Sequence, residues 1–261
     1  MNKIITIIRK EWAEVFKNRV VIFSVLFLPL LFTALPLIIL GLTSNAGVGG
    51  LTADLPTQFN QFCGIGMTSG ECFQVFMASQ FTLLFLMMPL IIPINIAAYS
   101  IVGEKSTHSL EPLLATPITT VELLAGKNLA AVIPAVLATW AGFLIYCLGV
   151  IIIASRPVAA ALLNPIWLVA IFLVGPLMAV LSVNFSLMVS SRVNDPRTAE
   201  QISTVIILPV LILFIGQISG FIFVSQQIVW LITIGALILD IVMVYIAVQL
   251  FQRETILTRW K

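Results

Sequence analysis

The sequence predicts an all-α membrane protein of six transmembrane helices, preceded by an N-terminal amphipathic helix that lies in the membrane interface. Three observations predict it. Of 261 residues, 60% are hydrophobic and only 9% charged, against about 25% charged in an ordinary soluble domain. Six windows reach the roughly 20 apolar residues that a membrane-spanning helix needs: residues 20–42, 76–102, 128–154, 165–189, 202–224 and 228–250. The charges also fall between these windows in a patterned way. Of the 13 Lys and Arg, all but Arg156 occur at the two termini and in the gaps after the second and fourth windows. The positive-inside rule then puts both termini in the cytoplasm, and an even number of spans agrees with both ends being on one side. The whole chain, 1–261, reads as a single transmembrane domain, integral to the cell (inner, cytoplasmic) membrane. The formal net charge of +2 is too small to argue for a nucleic-acid partner; the partner that composition demands is lipid.

In residues 1–19, Ile4, Ile5, Ile8, Trp12, Val15 and Phe16 share one helical face, and Lys3, Lys10, Glu14 and Lys17 lie opposite. That pattern describes an interfacial helix with Trp12 at headgroup level. Two roles fit it, a lever that passes motion to the first span or a topological anchor. The segment is too charged and the following apolar run too long for a removable signal peptide, so Met1 onward is expected to be retained.

Residues 43–75 form the longest expected extracytoplasmic segment. It opens on the turn-rich Ser44-Asn45-Ala46-Gly47-Val48-Gly49-Gly50 and holds Cys63 and Cys72, the two cysteines outside the spans. On an oxidising face these are a candidate disulfide bracing an exit loop. Cys147, inside the third span, reads as a small apolar side chain.

The second span carries Pro89, Pro93 and Asn95. Prolines there kink the helix and free carbonyls. Asn95 is either a hydrogen-bonding contact between helices or part of a pathway. Pro134, Pro176 and Pro209 put similar kinks in the third, fourth and fifth spans.

Residues 103–127, GEKSTHSLEPLLATPITTVELLAGK, form a polar island on the cytoplasmic side. Pro112 and Thr116-Pro117 mark breaks. Thr119 to Glu122 fits a capping box, from which a helix runs into the third span. Leu110, Leu113, Leu114 and Ile118 are apolar residues on a segment expected to face water. They are either a docking surface for another protein or packing beneath the chain's own helices.

Further on, Asp195-Pro196 in the second cytoplasmic loop signals a turn that starts a helix with Glu200 in its first turn. Gly216-x-x-x-Gly220 in the fifth span permits close helix approach. Asp240 is the single ionisable side chain well inside the sixth span; such a charge costs about 2.5–3.5 kcal/mol on insertion scales. It is a candidate pathway residue or an interhelical contact.

Several chemistries are excluded by their motifs. No phosphate-binding G-x-x-x-x-G-K-[ST] occurs. His108 is the single histidine, so no His-based metal site is expected. Neither a hydrolase nucleophile nor a Cys-x-x-Cys is present. The chain reads as a non-enzyme with no bound cofactor.

Within the island, Glu104-Lys105, Leu110-Glu111, Leu113-Leu114-Ala115-Thr116-Pro117 and Glu122-Leu123-Leu124-Ala125-Gly126-Lys127 resemble the signature of type-2 ABC exporter permeases. Two positions depart: Ser106 stands where a second acid is common, and His108-Ser109 replaces Gly-Thr. The loop from Ser190 to Ala199 is similar to its counterpart in the family, and the six-span plan agrees over nearly the whole chain.

The resemblance implies a type-2 ABC exporter-like fold and a dimer with a second copy or a related permease. It also implies two copies of a cytoplasmic nucleotide-binding subunit, where ATP and Mg would bind. The island would be the coupling segment, with Glu104, Lys105, Leu110, Glu111, Leu113, Leu114, Thr116, Pro117 and Glu122 as its ATPase-coupling residues. The solute moved outward would be a drug, peptide, lipid or cation. Two other classes fit the residues: a stand-alone secondary carrier or channel that uses Asp240, and a mechanotransmitter that translocates no solute.

Overall fold

The computed structural model describes residues 2–17, 19–45, 67–106, 118–221 and 225–251. Every regular element among the described residues is helical. In order these are α1 (Asn2–Val15), α2 (Arg19–Asn45), α3 (Ser69–Leu84), a 3-10 turn (Phe85–Met87), α4 (Met88–Ser106), α5 (Thr120–Ile153), α6 (Arg156–Leu162) and α7 (Pro165–Val169). A π turn (Ala170–Val174) leads into α8 (Gly175–Arg192); then follow α9 (Pro196–Ser203), a 3-10 turn (Thr204–Ile207), α10 (Leu208–Ile218) and α11 (Gln226–Leu250). Grouped into continuous segments, they make six helices long and apolar enough to cross a membrane. The spans are α2, α3 with α4, α5, α6 to α8, α9 with α10, and α11.

Several helix starts are set by side-chain caps. Thr119 and Glu122 form the expected capping box: the Thr119 N–H donates to Glu122 Oε2 at 2.8 Å and the Glu122 N–H to Thr119 Oγ1 at 3.2 Å. A second box, unforeseen, starts α3, where Thr68 and Glu71 are the same pair. The second span therefore begins at Ser69 rather than 76, and the loop expected over 43–75 is shorter at that end. Asp195 caps α9 by accepting from the Thr198 N–H at 3.0 Å, a bond that holds its carboxyl below the usual carboxylate range. Glu200 lies beyond the first turn, which contains no acid.

The outer connection expected over residues 155–164 contains α6, so the fourth span starts at Arg156. Gly220 does not serve close helix approach inside the fifth span. It stands just past the C-terminus of α10 at φ 73°. The Gly220 N–H donates to the Gln217 carbonyl at 3.1 Å and the Phe221 N–H to the Gly216 carbonyl at 2.9 Å, the paired bonds of a left-handed helix stop. The span ends at Ile218, and residues 222–224 lie outside the described ones.

The second span is the axis of the core: 78% of its apolar window is buried within the chain, against 17% for the first span. α4 and α11 both pack on α8. Phe85, Phe143 and Tyr146, all fully buried, fill the centre, with Phe85 at 5.6 Å from the Phe143 ring and 5.4 Å from the Tyr146 ring. α2 lies along α5 through two glycines. A Cβ at Gly142 would come within 3.3 Å of Pro29, and one at Gly149 within 2.5 Å of Leu37.

Candidate functional site

The chemistry-bearing residues gather at one end of the bundle, where α1, the end of α4 and the start of α5 meet. α1 is divided lengthwise into three sectors. Ile7, Glu11 and Val15, spaced four apart on one side, are its buried stripe. Ile5, Ile8, Trp12 and Phe16 form a less covered apolar sector beside it, and Lys3, Arg9, Lys10, Glu14 and Lys17 lie beyond. The buried stripe faces α5 at Gly126, where an added Cβ would sit 2.7 Å from Ile7. Trp12 turns its indole N–H to the Ala130 carbonyl at 2.9 Å, so it binds a helix rather than only a headgroup layer.

Glu11 enters this apolar seam because Lys127 waits there. The Lys127 Nζ donates to Glu11 Oε1 at 2.9 Å and to Ser100 Oγ at 2.6 Å, and pairs with Glu104 Oε2 at 2.9 Å. Glu11, Glu104 and Lys127 are 2%, 3% and 4% exposed, so the pairs are screened little by water. Lys10 closes the cluster from its rim by donating to Glu104 Oε1 and lies 3.8 Å from Glu14. Burial pushes the Glu11 carboxyl up, but the Lys127 charge and hydrogen bond, with Ser100 and Lys10, bring it below the ordinary range. Burial likewise opposes the charged Lys10, and its bond to Glu104 with the nearby acids raises it above the ordinary lysine value. Two carboxylates and two ammonium groups thus balance in charge. An outlying pair, Lys3 with Glu122 at 3.6 Å, is exposed and contributes little.

Of the residues the sequence nominated for coupling, Glu104 is inside this cluster and Glu122 is the capping acid of α5. Lys105 belongs to α4. Leu110, Glu111, Leu113, Leu114, Thr116 and Pro117 lie outside the described residues. The described residues on either side of them end at Ser106 in α4 and resume at Ile118 before α5, so the cluster stands where both flanking helices meet the segment. Sequence reasoning missed Glu11 and Ser100, and used Lys127 only as part of a signature. The signal available was the position of Glu11, four residues from both Ile7 and Val15 in an otherwise apolar stripe.

The nominated pathway residues do not join this cluster. Asn95, in α4, is half-buried. Asp240 lies on the buried stripe of α11 with Thr233 and Ala236, and among the described residues neither of its carboxylate oxygens has a hydrogen-bond partner. α8 packs against both of their helices. The third and fourth spans are instead joined by an unforeseen amide pair, Asn128 Nδ2 donating to Asn184 Oδ1 at 3.0 Å. Cys72 is disulfide-bonded and Cys147 is a free thiol; Cys63 lies outside the described residues. At the opposite end of the bundle a groove of about 400 Å³ opens between Asn164, Pro165, Ile166, Val169, Gln226, Val229 and Trp230.

Six candidate spans and an amphipathic helix tied to the third form a recognisable plan. The model of the family described as ABC-2 family transporter protein matches residues 5–228. The chain belongs to that family. A comparison with curated proteins finds no match. As an ABC-2 permease, the chain is the membrane component of an ABC transporter, and the family associates with an ATP-binding subunit. The matched residues run from α1 to the start of α11, so the charge cluster lies wholly within the ABC-2 region.

Proposed function

We propose that this ABC-2 permease is the membrane-spanning half of an ATP-driven exporter. It dimerises, seats two copies of a separate ATPase on residues 103–127, and moves a drug, peptide, lipid or cation outward. ATP and Mg would bind on the ATPase. The observation that carries the reading is the fixed frame around that segment. Its two root helices are locked together by buried charge, so force applied to it reaches the second and third spans, the first of which is the core of the molecule. An unbraced loop would absorb the same force in its own bending. The positive-inside pattern supports a cytoplasmic position for the segment and both termini, and a bonded Cys72 fits an oxidising outer face, where Cys63 would be its partner.

The test is to purify the tagged chain from its native membrane and reconstitute it. The expected result is an ATPase that comes with it and ATP hydrolysis that a panel of solutes stimulates. L113D/L114D should lose the ATPase and still insert. Solute movement without ATP and with no ATPase would instead make the chain a gradient-driven carrier, a reading favoured by Asp240, which has no hydrogen-bond partner among the described residues. Hydrolysis that no solute alters and that moves none would make it a mechanotransmitter.

A further inference from the structure

The charge cluster joins three helices on one nitrogen. The Lys127 ammonium, on α5, donates to Glu11 from α1 and to Ser100 from α4 and forms an ion pair at 2.9 Å with Glu104, also on α4. Holding a helix at a membrane surface requires no such device; an aromatic and a few exposed lysines suffice. A buried ion pair is also a poor way to gain stability, since well-packed apolar groups of similar volume do as well or better. What buried charge supplies is a single permitted arrangement.

We infer that Glu11 and Lys127 are positioning residues for energy coupling. They bind α1 to both roots of the 103–127 segment, so that α1, the end of the second span and the start of the third answer the ATPase as one body. The inference rests on the proposed function. Two contacts independent of charge set the same docking: Ile7 against Gly126, and the Trp12 N–H on the Ala130 carbonyl. The body extends into the membrane, because α2 is seated on α5 at Gly142 and Gly149. α1 is therefore no free lever swinging the first span. It is a brace across the helix ends that keeps a pull on the segment from parting them.

The test uses the full chain with its ATPase in liposomes, with C147S and a reporter cysteine, N95C, whose maleimide labelling is followed with and without ATP. E11Q/K127M removes one positive and one negative charge together and leaves Glu104 paired with Lys10. The expected result is an ATPase still bound and hydrolysing, with the ATP-dependent change in labelling reduced about tenfold, within the range of ordinary coupling energies. A variant whose labelling responds to ATP like the parent overturns the inference. Should E11Q/K127M not be recovered from the membrane, E11Q alone is read the same way, and an unchanged response overturns it. A parent chain that recruits no ATPase sinks the proposed function. The attachment is then read without nucleotide, from spin labels at the exposed positions Ala13 and Val121. A narrow distance distribution that broadens in E11Q supports the brace, and identical distributions refute it.

Discussion

Lys127 is enclosed so completely that its substitution tests the cluster directly. K127M leaves the buried Glu11 carboxylate without its ammonium, and breaking a buried pair from one side costs about 3–5 kcal/mol. The thermal midpoint in detergent should fall clearly for K127M and less for E11Q/K127M, where no charge is stranded. Equal losses would mean that packing, not charge, holds the site. The pH dependence has a defined sign. Glu11 is held below its ordinary value of 4.5, so its contribution is present above that pH and is lost as pH falls through the lowered value. Lys10 is held above its ordinary value of 10.5, so its contribution is present below that pH and is lost as pH rises through the raised value. Lys10 keeps Glu104 in both proteins, so its loss at high pH lowers both midpoints, whereas the midpoint difference between the parent and E11Q/K127M should be flat above about pH 5 and shrink as pH falls through the lowered Glu11 value. At this scale the sequence was half legible. Thr119 and Glu122 announced their capping box by spacing. Glu11 did not announce its burial, because an acid on an amphipathic helix is ordinarily solvated and its partner lies more than a hundred residues away.

The helices themselves are interrupted where prolines require it. A non-α turn immediately precedes a proline near the start of the next helix three times: Phe85–Met87 before Pro89, Ala170–Val174 before Pro176, and Thr204–Ile207 before Pro209. Proline lacks an N–H and its ring crowds the carbonyl four residues back, so the ladder loosens or tightens ahead of it. Pro93 likewise cannot bond the Pro89 carbonyl, and Ser182 from the fourth span donates to it at 3.4 Å. P176A should regularise the fourth span and raise the thermal midpoint while weakening ATP-driven labelling of N95C; an unchanged labelling response would show that the π turn plays no part in switching. Gly126 belongs to the other kind of element contact. G126A places a methyl 2.9 Å from the Ile7 Cβ, which cannot rotate away, so α1 should lift and the Ala13–Val121 label distance lengthen. Helix existence was readable from apolar length alone. Where a helix stops was not, because Gly220 looks the same in a close-packing pair as in a left-handed stop, and only the backbone bonds tell them apart.

The molecule as a whole is built around one buried span. The first, fifth and sixth spans bury 17%, 22% and 22% of their apolar windows and carry large exposed side chains, among them Leu30, Ile212, Ile215 and Leu231. Such surface belongs against lipid or another membrane chain. The class of the molecule was legible from composition and from the island's motif, since both are local in sequence. The frame that makes the island useful was not, because it is assembled from α1, α4 and α5 by folding. The central claim is that residues 103–127 leave this frame on the cytoplasmic side and meet an ATPase there. A photo-crosslinking amino acid at Leu114, activated in intact membranes, tests it most directly. The account predicts a product containing an ATP-binding subunit that is lost in L113D. Reaction of position 114 with a membrane-impermeant reagent added from outside, and no crosslink to any ATPase, would contradict it.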